Sequence, residues 1–319
     1  MKALELKNLY KTYKYRNSNQ KIKTETLALK NVSLCVEQGD FFGLLGPNGA
    51  GKSTAIGIIS SLVNKTAGHV SVFGHDLDTD LLKAKSKIGV VPQEVNFNIF
   101  ETPFDIVVNQ AGYYGLPYQQ ASERAEYYLK KLFLWEKAFQ PARMLSGGMK
   151  RRLMIARGMV HDPQLLLLDE PTAGVDIEIK RHMWEFLKEL NAQGRTIILT
   201  THNLEEAEYL CRNIAIINHG QIIEQSSTKE LVRKLSKETL VLDLLSPFIH
   251  FDQVEALGLK GFSFHYIDEL TIEVSFSAHC VLNVLFEELT KIGCYVRSLR
   301  NKTNRLETLF LELVREPSA

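Results

Sequence analysis

Cysteine is scarce in this chain of 319 residues. Cys35, Cys211, Cys280 and Cys294 lie far apart, and none falls in a Cys-x-x-Cys pair. Such spacing argues against a disulfide framework or a zinc cluster and reads as free thiols in a reducing compartment. An excess of one charge is missing too: 38 Lys and Arg stand against 37 Asp and Glu, a formal net charge of +1. Composition therefore gives no electrostatic reason to expect nucleic acid or anionic lipid as the main ligand. Long apolar runs are also lacking, since no window approaches the roughly 18 to 20 residues that cross a bilayer. The opening stretch "MKALELKNLYKTYKYR" has no apolar signal core. The expectation is a soluble chain without direct membrane insertion, so any work at a membrane requires a partner that supplies it. Repeats and low-complexity tracts are absent as well.

What is present is ordinary core-forming material, with 45% hydrophobic and 24% charged residues. The length suits a large domain with a smaller one, or two domains. Alternation in "ALEL" and "VSLCV" predicts early strands, with "KYRNSNQKIKTET" as a polar hairpin loop between them. "FFGLL" predicts a short buried strand running into Gly-rich "GPNGAGKST" and then a helix over "AIGIISSLV". Helical patterns with aromatics fill residues 101 to 139, followed by a helix at "MKRRLMIARGMV". Strand "QLLLLDE", helix "IEIKRHMWEFLKELNAQG", strand "RTIILTTH" and a hairpin turning at His219-Gly220 come next. Strands alternating with helices predict an α/β core with a mostly parallel sheet. After about Ser236 the pattern changes to strand, strand, helix, strand, helix, which predicts a separate α+β domain over residues 238 to 319. The helices expected there are "VLNVLFEELTKIG" and "RLETLFLELV".

The strongest chemical signal is G-x-x-x-x-G-K-[ST] from Gly46 to Ser53, set between a strand and a helix as the motif requires. Glycines let consecutive amides turn inward toward phosphate oxygens, and the helix start adds its positive dipole end. Gly46, Pro47, Asn48, Gly49, Ala50, Gly51, Lys52, Ser53 and Thr54 are the candidate phosphate-binding residues. Lys52 can neutralise the β- and γ-phosphates of a nucleotide, and the Ser53 hydroxyl can ligate Mg²⁺. "LLLLDE" ends in Asp169 and Glu170 at the strand end where α/β sheets present ligands. Asp169 is the candidate metal ligand, and Glu170 the candidate base that polarises the attacking water. By itself this pair could equally be a solvated strand end.

"GPNGAGKST", "LSGGM" and "LLLLDEP", in this order and spacing, resemble the ATP-binding subunit of ATP-binding-cassette (ABC) transporters over roughly residues 1 to 235. The resemblance implies a P-loop NTPase fold with a mixed sheet and a helical subdomain near residues 95 to 160. It also implies an ATPase that uses ATP and Mg²⁺. Gln93 in "VVPQ" falls at the family's glutamine loop, where it senses Mg²⁺ and the membrane partner. His202 in "TTH" falls at the switch that contacts the γ-phosphate, and Asp176 in "AGVD" at the loop crossing the dimer interface. Tyr13 falls where the family stacks an aromatic on adenine, with Tyr10 a competitor for that place.

Ser146, Gly147 and Gly148 open a helix whose apolar stripe runs through Met149, Leu153, Ala156 and Val160. In the family this signature binds ATP held by a second cassette, so the resemblance implies a homodimer around two ATPs. Met149 replaces the usual Gln, and "SGGMKRR" looks like the daunorubicin-resistance and nodulation-factor type of exporter. Lys150, Arg151 and Arg152 read as a solvated or helical-subdomain face, not as a nucleic-acid patch. The implied partners are separately encoded integral-membrane permeases, with the chain peripheral on the cytoplasmic face of the cell membrane. Two alternatives stay open: a soluble cassette acting on nucleic acid or ribosomes, and a weakly catalytic regulatory cassette.

Overall fold

The computed structural model describes residues 1–16, 23–233, 237–247, 259–277 and 280–302, with Leu306 and Phe310. Two compact units divide between Ser227 and Thr228.

The first unit opens with β1 (Lys2–Arg16) and β2 (Lys23–Glu37), which pair antiparallel as far as Arg16 opposite Lys23. Residues 14–16 and 23–26 of the polar stretch expected to be a loop are therefore strand, and residues 17–22 lie outside the described residues. Tyr15 pairs with Thr24 across that ladder, and β-propensity there outweighs polarity. Next come β3 (Phe41–Leu45), α1 (Lys52–Ile59), β4 (Ala67–Val72), β5 (His75–Asp76), α2 (Leu81–Ser86) and β6 (Ile88–Val91). Helices α3 (Pro103–Tyr113), α4 (Tyr118–Lys131) and α5 (Gly147–Met159) pack on one another and form the expected helical region. The unit closes with β7 (Leu165–Asp169), α6 (Ile177–Ala192), β8 (Thr196–Thr201), α7 (Leu204–Leu210), β9 (Asn213–Asn218) and β10 (Gln221–Ser227).

Two sheets form, in the orders β2-β1-β4-β5 and β10-β9-β3-β8-β7-β6. The second is parallel from β9 through β6, and only β10 runs antiparallel, so the sheet is mixed. Helix α1 lies in one core with the inner faces of both sheets, where Leu4, Leu34, Ile56, Ile59, Leu167 and Ile217 meet. Leu165 to Leu168 are completely buried, as a strand covered on both faces requires. Each such side chain stabilises the fold by about 1.5 to 3 kcal/mol. The hairpin between β9 and β10 turns where expected, with His219 at φ 44° and Gly220 at φ 75°, a two-residue turn of the primed kind. The tip is pinned: Gly220 N–H donates to Ala50 O at 3.0 Å, and Lys30 N–H donates to Gly220 O at 2.8 Å.

Register decides the rest. Leu45 lies opposite Thr201, Asp169 opposite Thr200, and Val91 opposite Leu168. The segments leaving β3, β6, β7 and β8 therefore emerge along one edge of the sheet.

The second unit starts with α8 (Thr228–Arg233) and β11 (Lys237–Leu244). It continues through β12 (Phe262–Asp268), β13 (Thr271–Ser277), α9 (Leu282–Lys291) and β14 (Val296–Asn301). Its antiparallel sheet runs β12-β13-β11-β14. Leu240, Leu242, Ile272, Val274 and Phe276 bury one face against Leu285 and Leu289 of α9. Leu270 sits in the turn before β13 and is exposed. The helix expected at "RLETLFLELV" lies mostly outside the described residues. None of the four cysteines is in a disulfide. No helix among the described residues is long and apolar enough to cross a membrane.

Candidate functional site

The loop from Gly46 to Ser53 leaves β3 and wraps the start of α1. Its glycines are needed where they stand. A Cβ at Gly46 would meet Ile217 O at 2.3 Å, and Gly51, at φ 108°, would press one onto Ala28 O at 2.8 Å. Gly51 takes this left-handed conformation as the N-cap of α1, turning the chain sharply into the helix. Lys52 is only 5% exposed, and its Nζ donates to Gly46 O at 2.7 Å and Pro47 O at 3.1 Å. Burial lowers its pKa, while the carboxylates of Glu170 and Asp169 oppose that shift. A cleft of about 360 Å³ opens here, lined by Asn48, Gly49, Gly51, Lys52, Ser53, Thr54, Gln93 and Glu170, with Ala28 from β2. Ala28 was not foreseen, because nothing in its neighbourhood marks it; its backbone lies close to Gly51 and to the pinned hairpin tip at Gly220.

The acidic strand end is not a solvated pair. Asp169 and Glu170 are both buried. Thr200 Oγ1 donates to Asp169 Oδ1 across the β7–β8 register. Glu170 adopts φ 47°, in the left-handed region, and its amide donates to Thr200 O at 3.0 Å. This turn aims the Glu170 carboxylate at two side chains from other loops. Gln93 Nε2 donates to Glu170 Oε2 at 3.3 Å, and His202 Nδ1 lies 3.0 Å from Glu170 Oε1. Gln93, Glu170 and His202, each picked out from a different motif, thus converge on one carboxylate beside Lys52.

Other candidates stand apart from the cleft. Tyr13 lies on β1 with Lys11 Nζ 4.7 Å from its ring centre, and it is not part of the cleft lining. Asp176 caps α6, its Oδ1 accepting from Ile179 N–H at 3.0 Å. Ser146 caps α5 in the same way, its Oγ accepting from Met149 N–H at 3.2 Å. The basic run is not the freely solvated face that was one of its readings. Arg151 and Arg152 are partly buried and bond backbone carbonyls. Arg151 Nη1 donates to Gln93 O at 2.6 Å and Pro92 O at 3.0 Å, and Arg152 Nη1 to Leu132 O at 2.8 Å. The guanidinium groups thus bond carbonyls just beyond β6 and at the C-cap of α4.

A second cavity, of about 260 Å³, opens beside Pro92 and is lined by Leu62, Tyr114, Arg157 and His161 among others. Tyr114 and His161 stack with ring centres 3.6 Å apart. His161 Nε2 lies 2.9 Å from Ile88 O, so Nε2 carries the proton, and Nδ1 is buried without a partner.

These arrangements have counterparts in known proteins. A family model described as ABC transporter matches residues 29–173. The chain is 36% identical over 288 residues to the linearmycin resistance ATP-binding protein LnrL of Bacillus subtilis (strain 168), covering 89% of this chain and 93% of that protein. It is 38% identical over 216 residues to the Nod factor export ATP-binding protein I of Cupriavidus metallidurans, covering 67% of this chain and 70% of that one. Among solved structures, a dimeric ATP-binding cassette in a post-hydrolysis state bound to ADP and Pi superposes with a TM-score of 0.64 at 29% identity. That match covers 70% of this chain and 98% of the solved one. Motifs, strand register and relatives agree, and the chain belongs to the ABC transporter family, as its ATPase cassette.

Proposed function

We propose that this chain is the ATP-hydrolysing subunit of an exporter, acting as a homodimer around two ATPs and driving separately encoded integral-membrane permeases from the cytoplasmic face. The observation that carries the chemistry is the Glu170 carboxylate, held between Gln93 and His202 at the edge of the phosphate-loop cleft. In this reading Lys52 and the loop amides bind the β- and γ-phosphates, Glu170 polarises the attacking water, and His202 orients Glu170 and meets the γ-phosphate. Tyr13 is the proposed adenine contact. Ser53, Gln93 and Asp169 offer only oxygen donors, which suits Mg²⁺. Bound there, the ion would neutralise phosphate charge.

The dimer reading draws support from Gly147 and Gly148. A Cβ at Gly147 would meet nothing within 4 Å, and one at Gly148 would make only ordinary contact with Ile179 at 3.6 Å. The chain's own packing does not require glycine there, although each glycine inside a helix costs about 1 kcal/mol relative to alanine. Close approach of a ligand to the helix start explains the choice, and the γ-phosphate of a second cassette's ATP supplies one. Asp176, six residues after Glu170, is the proposed cross-interface residue. The permease reading draws on the cavity beside Pro92, which adjoins Gln93 and would pass movement of the Gln93 loop to whatever docks there. Export as the direction of transport follows the relatives' printed roles.

Glu170→Gln tests the core of this reading. It keeps size and hydrogen bonding but removes the base, so hydrolysis should fall by about 10²-fold or more while ATP still binds. Size-exclusion chromatography with Mg-ATP should then show a trapped dimer. A variant that hydrolyses normally, or one that stays monomeric with ATP bound, counts against the assignment.

A further inference from the structure

A carboxylate outside the cleft has no part in the chemistry above. Glu206 sits on α7, four residues beyond His202, and is only 1% exposed. Burying an acid is expensive unless its oxygens are fully engaged. Two buried donors from two other segments meet its Oε1: Thr172 Oγ1 at 2.6 Å and Trp184 Nε1 at 3.0 Å. Thr172 is two residues beyond Glu170, in the segment that leads to Asp176. Trp184 lies on α6, the helix that Asp176 caps. The amide of Glu206 is itself held by Asn203 Oδ1 at 3.1 Å, next to His202.

A closed loop of contacts results. On one side His202 touches Glu170; on the other Glu206 holds Thr172. The segments leaving β7 and β8 are thus braced at two points, one inside the cleft and one behind it. The rear brace adds a buried tie to the others that hold these segments, namely Glu170 N–H to Thr200 O at 3.0 Å and the exposed Lys180–Glu205 ion pair at 3.3 Å. Because the brace also includes Trp184, a movement of His202 is passed to the helix behind Asp176.

We propose that Glu206 is a positioning residue, which through Thr172 and Trp184 ties the His202 segment to the Glu170–Asp176 segment so that they move as one body. The proposal rests on the roles given above to Glu170 and His202. Thr172→Val, an isosteric change that removes one donor, should lower kcat by about tenfold to a hundredfold, because small misplacement of a reacting group is costly. The KM for ATP should stay within about twofold, since the phosphate loop is untouched. Thr172→Ser restores the hydroxyl and should recover most of the loss. Combining Thr172→Val with Glu206→Leu should add little beyond the worse single variant, as expected for two ends of one contact. Wild-type kcat in Thr172→Val, even with a lowered melting temperature, would reduce the cluster to a structural role and overturn the proposal. So would a Thr172→Ser variant as impaired as the valine, or losses that multiply in the double variant. Should Glu206→Leu fail to fold, the Val and Ser pair still decides. Glu170→Gln, run alongside, separates the two readings: if it hydrolyses normally, the site assignment has failed, whereas an inactive Glu170→Gln with a fully active Thr172→Val defeats only the brace.

Discussion

At the scale of single residues, backbone conformation does as much as side-chain type. Glu170 reaches Gln93 and His202 because its φ of 47° turns the chain aside immediately after Asp169. Holding a non-glycine residue there costs on the order of 1 to 3 kcal/mol, a strain typical of functional positions. His161 shows the opposite case, a titratable group kept from titrating. Burial pushes its pKa down to about 4, from an ordinary value near 6.5. Between those two pH values the unfolded chain binds a proton that the folded chain does not, so stability is lost as pH falls through that window. The melting temperature should therefore drop from about pH 6.5 toward pH 4. Replacing His161 with Gln, which can still donate to Ile88 O, should flatten that slope by up to about 1.4 kcal/mol per pH unit. An unchanged slope would place the acid sensitivity elsewhere. Neither feature could be read from the sequence. Glu170 and His202 stand out there because motif spacing marks them. A left-handed φ at a glutamate, or a histidine stacked on a tyrosine far away in the chain, has no local signature.

At the scale of elements, long and strongly periodic segments were legible, and short or paired ones were not. The helices α3 to α6 and the leucine strand β7 follow directly from apolar spacing. The strands β4, β5, β6 and β12 and the helices α2, α7 and α8 have no such reading in the sequence. They are short, and what stabilises them is neighbours rather than their own pattern. Helix α5 carries an example of such a tie. Its first turn holds the signature, and two residues on from Met149 the guanidinium of Arg151 clasps the carbonyls of Pro92 and Gln93. Burial lowers the Arg151 pKa, opposed by Asp169 and Glu170, yet the group stays charged at any working pH. Arg151→Leu should hand the exposed Gln93 carbonyl to water and leave the part-buried Pro92 carbonyl weakly satisfied, at a cost of about 0.5 to 1.5 kcal/mol. It should also loosen Gln93, so ATP turnover should fall more than ATP affinity. Thermal unfolding and steady-state kinetics on the same preparation would show it. Lost stability with intact turnover would mean that Gln93 does not depend on this anchor.

At the scale of the whole molecule, the dimer is the reading with the widest consequence. If Ser146 and Gly148 serve the ATP of another chain, two inactive variants should complement each other. Lys52→Ala spoils a chain's own phosphate loop. Gly148→Asp sets a carboxylate against the γ-phosphate, where like charges about 4 Å apart repel by about 4 kcal/mol at an effective dielectric near 20. Each homodimer then has two damaged sites. A mixed dimer collects both defects in one composite site and leaves the other intact, so about half the normal activity should return if single sites turn over independently. Doubly tagged, co-expressed heterodimers measured against both homodimers would decide, and a mixture as dead as its parents would argue that the signature acts within its own chain. The order of motifs made this reading available from the sequence. The division at Ser227 and the sheet order of the second unit were less visible, because composition barely changes across that boundary.

The pinned tip of the β9–β10 hairpin turns one backbone amide into a gauge of the site. The Gly220 N–H points at Ala50 O inside the phosphate loop, although the two residues are remote in sequence. Deuterium can enter that amide only when the loop and the hairpin part. Its exchange rate therefore times the opening of the nucleotide cradle from the cradle's outer side, read at a residue that is not itself assigned to ATP. Saturating ATP should slow that exchange markedly in the wild type and much less in Lys52→Ala, which mass spectrometry of the peptide spanning Gly220 can follow.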